Sequence, residues 1–363
     1  MNTRLPLRRV LVVTPLGEGG AGGIDRMMDA LRPRHAEFAR DGFDVDFCAS
    51  RGAGSLGLAP FYLAATLGRV AASALGRGPD LLHINLSSHG SALRKWAVAA
   101  TARRVGLPYV VHLHGSRFAS YFDAAGPRLR AAIVRMFEGA ARVVVLGGVW
   151  RDWLAARAPA SRIDILPNAV AAPVGLAPRP PDVPVHILFL GRIGPRKGVD
   201  ELLHALAALP LGSWRATLAG DGDLAGARAA VALLGLEGRV AIPGWVGPAP
   251  VRALLEDCDI LALPSHQENL PMSLIEGMAY GRAVIGTPVG AVADIVRPFE
   301  TGLLVPPGDA RALAAALLSL IEDPALRARL GDGAMRLHRE TLDLEGYVGR
   351  LSAIWRSAQM PVG

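Results

Sequence analysis

Lysine is nearly missing from this chain. Of its 39 basic residues only Lys95 and Lys197 are lysines, and arginine supplies the rest. A GC-rich coding sequence produces the same bias, so the bias alone assigns no function. Cysteine is equally scarce. Cys48 and Cys258 lie in apolar, strand-like runs in different halves, which excludes a disulfide framework or a thiolate metal cluster and fits a reducing, cytoplasmic setting. There is no clean hydrophobic run of spanning length. The longest apolar stretch, GLAPFYLAATLGRVAASALG (Gly57 to Gly76), has Arg69 inside it and Pro60 near its start. It predicts a buried helix or one lying in an interface rather than a membrane span. The opening MNTRLPLRRVLVVTPLG is basic and then apolar, but Pro15 interrupts a short run and no small-residue cleavage site follows. It reads as a first buried strand, not a signal peptide.

What is present is globular composition: 51% hydrophobic and 20% charged over 363 residues. That length exceeds one ordinary core and suits two domains. The net charge of +7 suits an acidic partner such as a nucleotide, a phosphorylated lipid or an anionic membrane surface. Nucleic acid is not expected, because no recognised binding motif accompanies the charge.

Strand-like and helix-like patterns alternate along the chain. RRVLVVTP, FDVDFCAS, DLLHINL, PYVVHLHG, ARVVVLG and RIDILPN read as strands, with helices between them over Gly23–Arg40, from Ala59, over Ser91–Val105 and over Pro127–Gly139. This is the grammar of a parallel sheet covered on both faces. The proline-rich AVAAPVGLAPRPPDVP, from Ala169, breaks the rhythm and reads as a linker. The grammar then restarts with VHILFLG, WRATLAG, RVAIPG, DILALPS, RAVIGTP and GLLVPPG. Two doubly wound α/β domains are expected, over 1–172 and 173–342. The tail over 343–360 is amphipathic, with Leu344, Tyr347, Leu351, Ile354 and Trp355 on one face, and is expected to return to the first domain.

Ligands of open parallel sheets sit beyond the carboxyl ends of the strands, and the unusual polar and glycine clusters fall there. PLGEGGAGGID follows the first strand. Its backbone amides suit a phosphate, and Gly17, Gly19 and Gly22 match G-x-G-x-x-G, although a plain tight turn has the same composition. FLGRIGPRKG places Arg192 and Lys197 around one turn, where two cations suit a diphosphate and equally suit a solvated surface. PSHQENLPMSLIEGMAYG holds Glu268 and Glu276 with seven residues between them. Pro271 favours a helix start there, which puts Glu268 in the preceding loop and Glu276 more than a turn inside. Carboxylates accept from paired hydroxyls, so the two acids suit a sugar and a ribose flanking a central phosphate. The small, apolar residues around Glu276 argue against an open surface.

These segments together, ENLPMSLIEGMAYGRAVIGTPVGAVADIV with FLGRIGPRKG, LAGDGD and ILPNAV, resemble glycosyltransferase family 4, the retaining, metal-independent sugar transferases of GT-B fold. The resemblance covers nearly the whole chain and is strongest from Ile165 to Pro307. It implies two Rossmann-like domains facing across a cleft, the first on the acceptor side and the second binding the nucleotide sugar. It implies that Glu268 contacts the transferred sugar and Glu276 the ribose. Arg192 and Lys197 would neutralise the diphosphate, and the loop through Asn269, Leu270, Pro271, Met272 and Ser273 would complete the phosphate site. Gly22 and Gly23 match the family's glycine pair. His114 matches its active-site histidine, with His112 on the same strand face as second choice. Asn85 and Ser87, at the end of the third strand, join His112 as acceptor-side candidates. Neither a cofactor nor a metal is expected: no D-x-D pair that would carry a metal sits at a suitable place, and Asp221 to Asp223 stands in the family's Gly-Asp-Gly turn.

The implied activity is transfer of a sugar from a UDP- or GDP-linked donor to a glycan or lipid-linked acceptor with retained configuration, in exopolysaccharide, lipopolysaccharide or glycolipid synthesis. Arg94, Lys95, Arg103, Arg104, Arg117, Arg128, Arg130 and Arg135 make the first half basic. They suit an anionic membrane surface, or are ordinary solvated helix faces. Two rivals stand beside this reading. An NAD(P)-dependent oxidoreductase rests on Gly17, Gly19, Gly22 and Arg51 but leaves Glu268, Glu276, Arg192 and Lys197 without work. A catalytically silent scaffold has no reason to keep those four residues.

Overall fold

The computed structural model describes residues 7–20, 22–175, 184–212 and 214–359. Part of the proline-rich linker, residues 176–183, lies outside them. The chain divides into two compact units: Met1–Asn168 together with the chain from Glu345, and Ala169–Leu344.

Unit 1 is built on six parallel strands: β1 (Arg8–Thr14), β2 (Phe43–Ala49), β3 (Leu81–Leu86), β4 (Tyr109–Leu113), β5 (Arg142–Val145) and β6 (Ile163–Ile165), in the order β2-β1-β3-β4-β5-β6. The inner strands β3 and β4 are buried at every residue, as expected where helices cover both faces of a sheet. Unit 2 repeats the plan with β7 (Val185–Leu190), β8 (Trp214–Ala219), β9 (Val240–Gly244), β10 (Ile260–Leu263), β11 (Ala283–Gly286) and β12 (Leu303–Leu304), in the order β12-β11-β10-β7-β8-β9. Its helices begin on acidic caps where the sequence offers them. Asp223, Asp309 and Asp323 accept from the amides of Gly226, Ala312 and Leu326 at 2.8–2.9 Å, each satisfying one orphan donor of a first turn.

The helix expected over Gly23–Arg40 is two helices, Gly23–Leu31 and His35–Arg40, joined by a 3-10 turn over Arg32–Arg34. Pro33 is the reason, since it lacks an N–H and its ring clashes with the preceding turn. The last helix, Leu344–Ala358, buries Tyr347, Leu351 and Trp355. The Trp355 ring lies 5.2 Å from Phe38 and 5.4 Å from Phe43, and its Nε1 donates to His83 Nδ1 at 3.1 Å. The end of the chain thus completes the core of unit 1. Truncating a Trp buried this way typically costs about 3–5 kcal/mol.

The apolar stretch after β2 is helical from Leu56 to Leu75 and long and apolar enough, by length and composition, to cross a membrane. It is not buried. Thr66 and Val70 face inward, while Leu56, Phe61 and Leu75 are 68%, 72% and 76% exposed. Of the two expectations for this segment, burial is excluded.

Candidate functional site

In unit 2 the order of the sheet reverses beside β7, which has β8 on one side and β10 on the other. Chains leaving β7 and β10 therefore diverge and open a crevice at their carboxyl ends. After β7 comes a 3-10 turn, Pro195–Lys197, and the helix Val199–Ala207. After β10, a loop from Pro264 leads to the helix Met272–Ala279. Hydrogen bonds stitch the two loops together. His266 N donates to Arg196 O at 3.0 Å, and Arg196 Nη1 to Gln267 O at 3.1 Å.

Two glycines permit this approach. Gly198 has φ +70°, and a Cβ there would stand 2.0 Å from Pro264 O. Gly290, after β11, has φ +58°, and a Cβ there would stand 2.4 Å from Glu268 O. Any other residue would face both the left-handed penalty and a backbone clash.

The outcome is a contact between Lys197 Nζ, which donates, and Glu268 Oε1. Their side chains are only 13% and 9% exposed. Either charge alone would be costly at that depth, and each compensates the other. Arg192 does not join them. Its Nη1 lies 3.3 Å from Asp221 Oδ2, with 67% and 58% of the two side chains exposed. Such a surface pair holds little energy and exchanges readily for another anion.

Pro271 is the N-cap of the helix Met272–Ala279, and no side chain caps it. The positive end of that helix opens beside Glu268. Asn269, Leu270, Pro271 and Ser273 are buried, and Met272 and the second-turn Glu276 half-buried. Gly191 N and Ile193 N bond to Ala219 O and Asp221 O at 3.0 and 2.6 Å, which fixes the turn carrying Arg192.

In unit 1 the reversal falls between β1 and β3. His114 follows β4, half-buried, with Nε2 2.9 Å from Asn85 Oδ1. The Asn85 Nδ2 donates to Val13 O at 3.3 Å. The amide oxygen therefore faces the imidazole, His114 Nε2 carries the proton, and Nδ1 is the acceptor. The His112 ring stacks 3.9 Å from His114, and His83 lies 5.4 Å from His112. Burial, reinforced by neighbouring imidazoles, pushes His114 down to about 3 and His112 well below its usual value. The stack is neutral at pH 7. Asn85 and His112 are fully buried, so in this structure they sit beneath His114 rather than at a ligand-facing surface. Ser87 is half-buried.

The glycine-rich loop differs from the phosphate cradle expected of it. Leu16 N and Gly17 N donate to Asp25 Oδ1 at 3.1 and 3.3 Å, and Gly19 N to Asp29 Oδ2 at 2.9 Å. Carboxylates of the following helix occupy the amides that an anion would need. Burial raises the Asp25 pKa, and the two amides oppose it. Gly22 is extended and directly precedes the helix Gly23–Leu31. The sequence signal for this is the acid pair one turn apart in that helix, Asp25 in its first turn and Asp29 in its second. Lys95 also departs from its expected place. Expected on a basic helix face, it is fully buried.

Two Rossmann-like units, each built on a six-stranded parallel sheet, with clustered polar residues at the sheet reversals, match the GT-B fold. Residues 178–336 match the family described as glycosyl transferases group 1, and residues 8–169 match the glycosyl transferase 4-like domain. The chain is 31% identical to 2-deoxystreptamine N-acetyl-D-glucosaminyltransferase of Streptomyces fradiae, over 74% of this chain and 69% of that one. It is 33% identical to 2-deoxystreptamine glucosyltransferase of Streptomyces kanamyceticus, over 76% and 77%. Among solved structures it resembles Anabaena HepE in complex with UDP and glucose, with a TM-score of 0.74 and 20% identity over 96% of this chain and 100% of that one. The chain belongs to the GT-B glycosyltransferases. The oxidoreductase alternative lapses with that membership.

Proposed function

We propose that this chain transfers a sugar from a UDP- or GDP-linked donor to a glycan or lipid-linked acceptor, with retention of anomeric configuration and without a metal. The observation that carries the reading is the Lys197–Glu268 contact at the sheet reversal of unit 2. It puts a cation and a hydroxyl acceptor side by side next to an uncapped helix N-terminus.

Cleaving a sugar–phosphate bond builds positive charge on the sugar and negative charge on the leaving diphosphate. Lys197, Arg192 and the first-turn amides of Met272–Ala279 stabilise the diphosphate. Glu268 accepts from the sugar hydroxyls, and Glu276 from the ribose. Unit 1 supplies the acceptor side, where neutral His114 offers a lone pair on Nδ1. The structural neighbour with UDP and glucose supports a uridine nucleotide. The 2-deoxystreptamine relatives support a cyclic polyol as one acceptor class; polysaccharide, lipopolysaccharide and glycolipid acceptors are the others. The exposed apolar helix of unit 1 supports peripheral association with the cytoplasmic membrane face.

A panel of nucleotide sugars screened by thermal shift tests the donor class, since a bound ligand raises the melting temperature by mass action. Proton NMR of the first product reads the anomeric outcome. An inverted product would remove the retaining mechanism, and no shift with any nucleotide sugar would remove the donor class.

A further inference from the structure

Unit 1 carries a charged cluster that the donor chemistry leaves without work. Three cations converge on the carboxyl ends of β1 and β2, beside the sheet reversal: Arg51 after β2, and Arg94 and Lys95 from the helix Gly90–Arg104. Ser50 N donates to Thr14 O at 2.9 Å, and Arg51 N and Gly52 N donate to Pro15 O at 3.0 and 3.3 Å. These bonds pin Arg51 to the loop leaving β1. Gly52, at φ +77°, tucks under the ring of Tyr62, where a Cβ would come within 2.0 Å. Lys95 Nζ donates to Thr14 O at 3.0 Å and also contacts Ser50 Oγ. The bond between Ser50 and Lys95 holds the two elements together, and their chain neighbours Arg51 and Arg94 are near enough for one charge to act on the other. Burial, with Arg51 nearby, lowers the Arg94 pKa.

Both arginines are half-buried. Among the described residues neither forms an ion pair, and the Nε of each is shielded from solvent without a hydrogen-bond partner. Asp25, a carboxylate that acts on Lys95, is engaged by the Leu16 and Gly17 amides. The segment that bears the two arginines is itself basic. From Arg51 to Phe122 there are eight basic residues and a single acid, Asp80. Half-buried guanidinium groups without a partner are costly, and their planar forks match phosphate oxygens. The reversal of a parallel sheet is where ligands enter.

We propose that Arg51 and Arg94 bind a phosphate group carried by the acceptor, so that this chain glycosylates a phosphorylated substrate, whether a phosphorylated polyol or a phospholipid-linked acceptor. The proposal rests on unit 1 being the acceptor side. Lys95 is a positioning residue: it ties the helix bearing Arg94 to the loop bearing Arg51 and does not itself reach the ligand.

The test is calorimetric titration of the full chain with inorganic phosphate while excess UDP fills the nucleotide site. Wild type is expected to bind phosphate. Arg51→Ala and Arg94→Ala should each weaken it about tenfold, or ~1.4 kcal/mol, while UDP affinity is retained and reports an intact fold. Flotation with phosphatidylcholine vesicles, with and without phosphatidic acid, separates the sources. Flotation that needs both arginines assigns the phosphate to a lipid headgroup. Phosphate binding without such flotation assigns it to a soluble acceptor. Equal phosphate affinity in wild type and both variants, or none in wild type, would overturn the proposal. If UDP itself fails to bind, the nucleotide-sugar reading falls, and the same titration without UDP still decides this one.

Discussion

Lys197 and Glu268, 71 positions apart in the chain, share a hydrogen bond at the carboxyl edge of β7 and β10. Both side chains are nearly buried, so removing one strands the other. Lys197→Ala and Glu268→Ala are each expected to cost about 3 kcal/mol in urea denaturation. The double variant should cost clearly less than their sum, because the pair is one unit. Additive losses would show that the contact carries no coupling.

Gly198 is where two loops touch backbone to backbone. Gly198→Ala is expected to lose roughly 2 kcal/mol or more, since a left-handed conformation alone costs about 1–2 kcal/mol in a non-glycine residue. Nucleotide affinity should fall with it, because Lys197 is displaced. Gly68→Ala, in a helix with open space beyond it, serves as control and should leave the melting temperature unchanged or higher.

The buried histidines make unit 1 acid-sensitive. His83 is pushed down to about 3 by burial, so the folded state keeps it neutral while the unfolded chain protonates near 6.5. The folded state therefore binds fewer protons, and stability present above pH 6.5 is lost as pH falls toward 3. At pH 5 the loss from this residue is on the order of 2 kcal/mol. His112 adds to it in the same direction. Urea midpoints at pH 7 and pH 5 read the effect, and His83→Gln should flatten the difference. A midpoint independent of pH over that range would contradict the neutral stack.

The helix Ala59–Ala71 and its flanks present Leu56, Phe61 and Leu75 outward. Phe61→Asp is expected to lower flotation on phosphatidylglycerol-containing vesicles several-fold without changing the melting temperature. Concentration-dependent dimerisation in sedimentation, with no flotation, would instead assign this face to a second copy of the chain.

Much of this architecture is legible in the sequence. Strand and helix periodicities alternate because each strand is covered on both faces, and the glycine and proline punctuation marks the turns between them. The helix start at Pro271 and the buried face of the last helix follow from local rules. The contact between Lys197 and Glu268 does not. It depends on β10 lying beside β7, a strand order that local pattern does not encode. The glycine loop misled for a related reason: composition shows that amides are available, not that Asp25 and Asp29 already hold them. Lys95 looked like a helix-surface charge, and only the tertiary fold shows that its ammonium ties Thr14 and Ser50 together. The break at Pro33 is readable in the sequence, because proline cannot continue a helix interior.

The most direct test of the central claim is calorimetric titration of UDP and GDP into wild type and into Lys197→Ala. One nucleotide should bind wild type at a single site, and the substitution should weaken it about tenfold or more, or ~1.4 kcal/mol. Undiminished binding by the variant would contradict the placement of the diphosphate at the Lys197–Glu268 crevice.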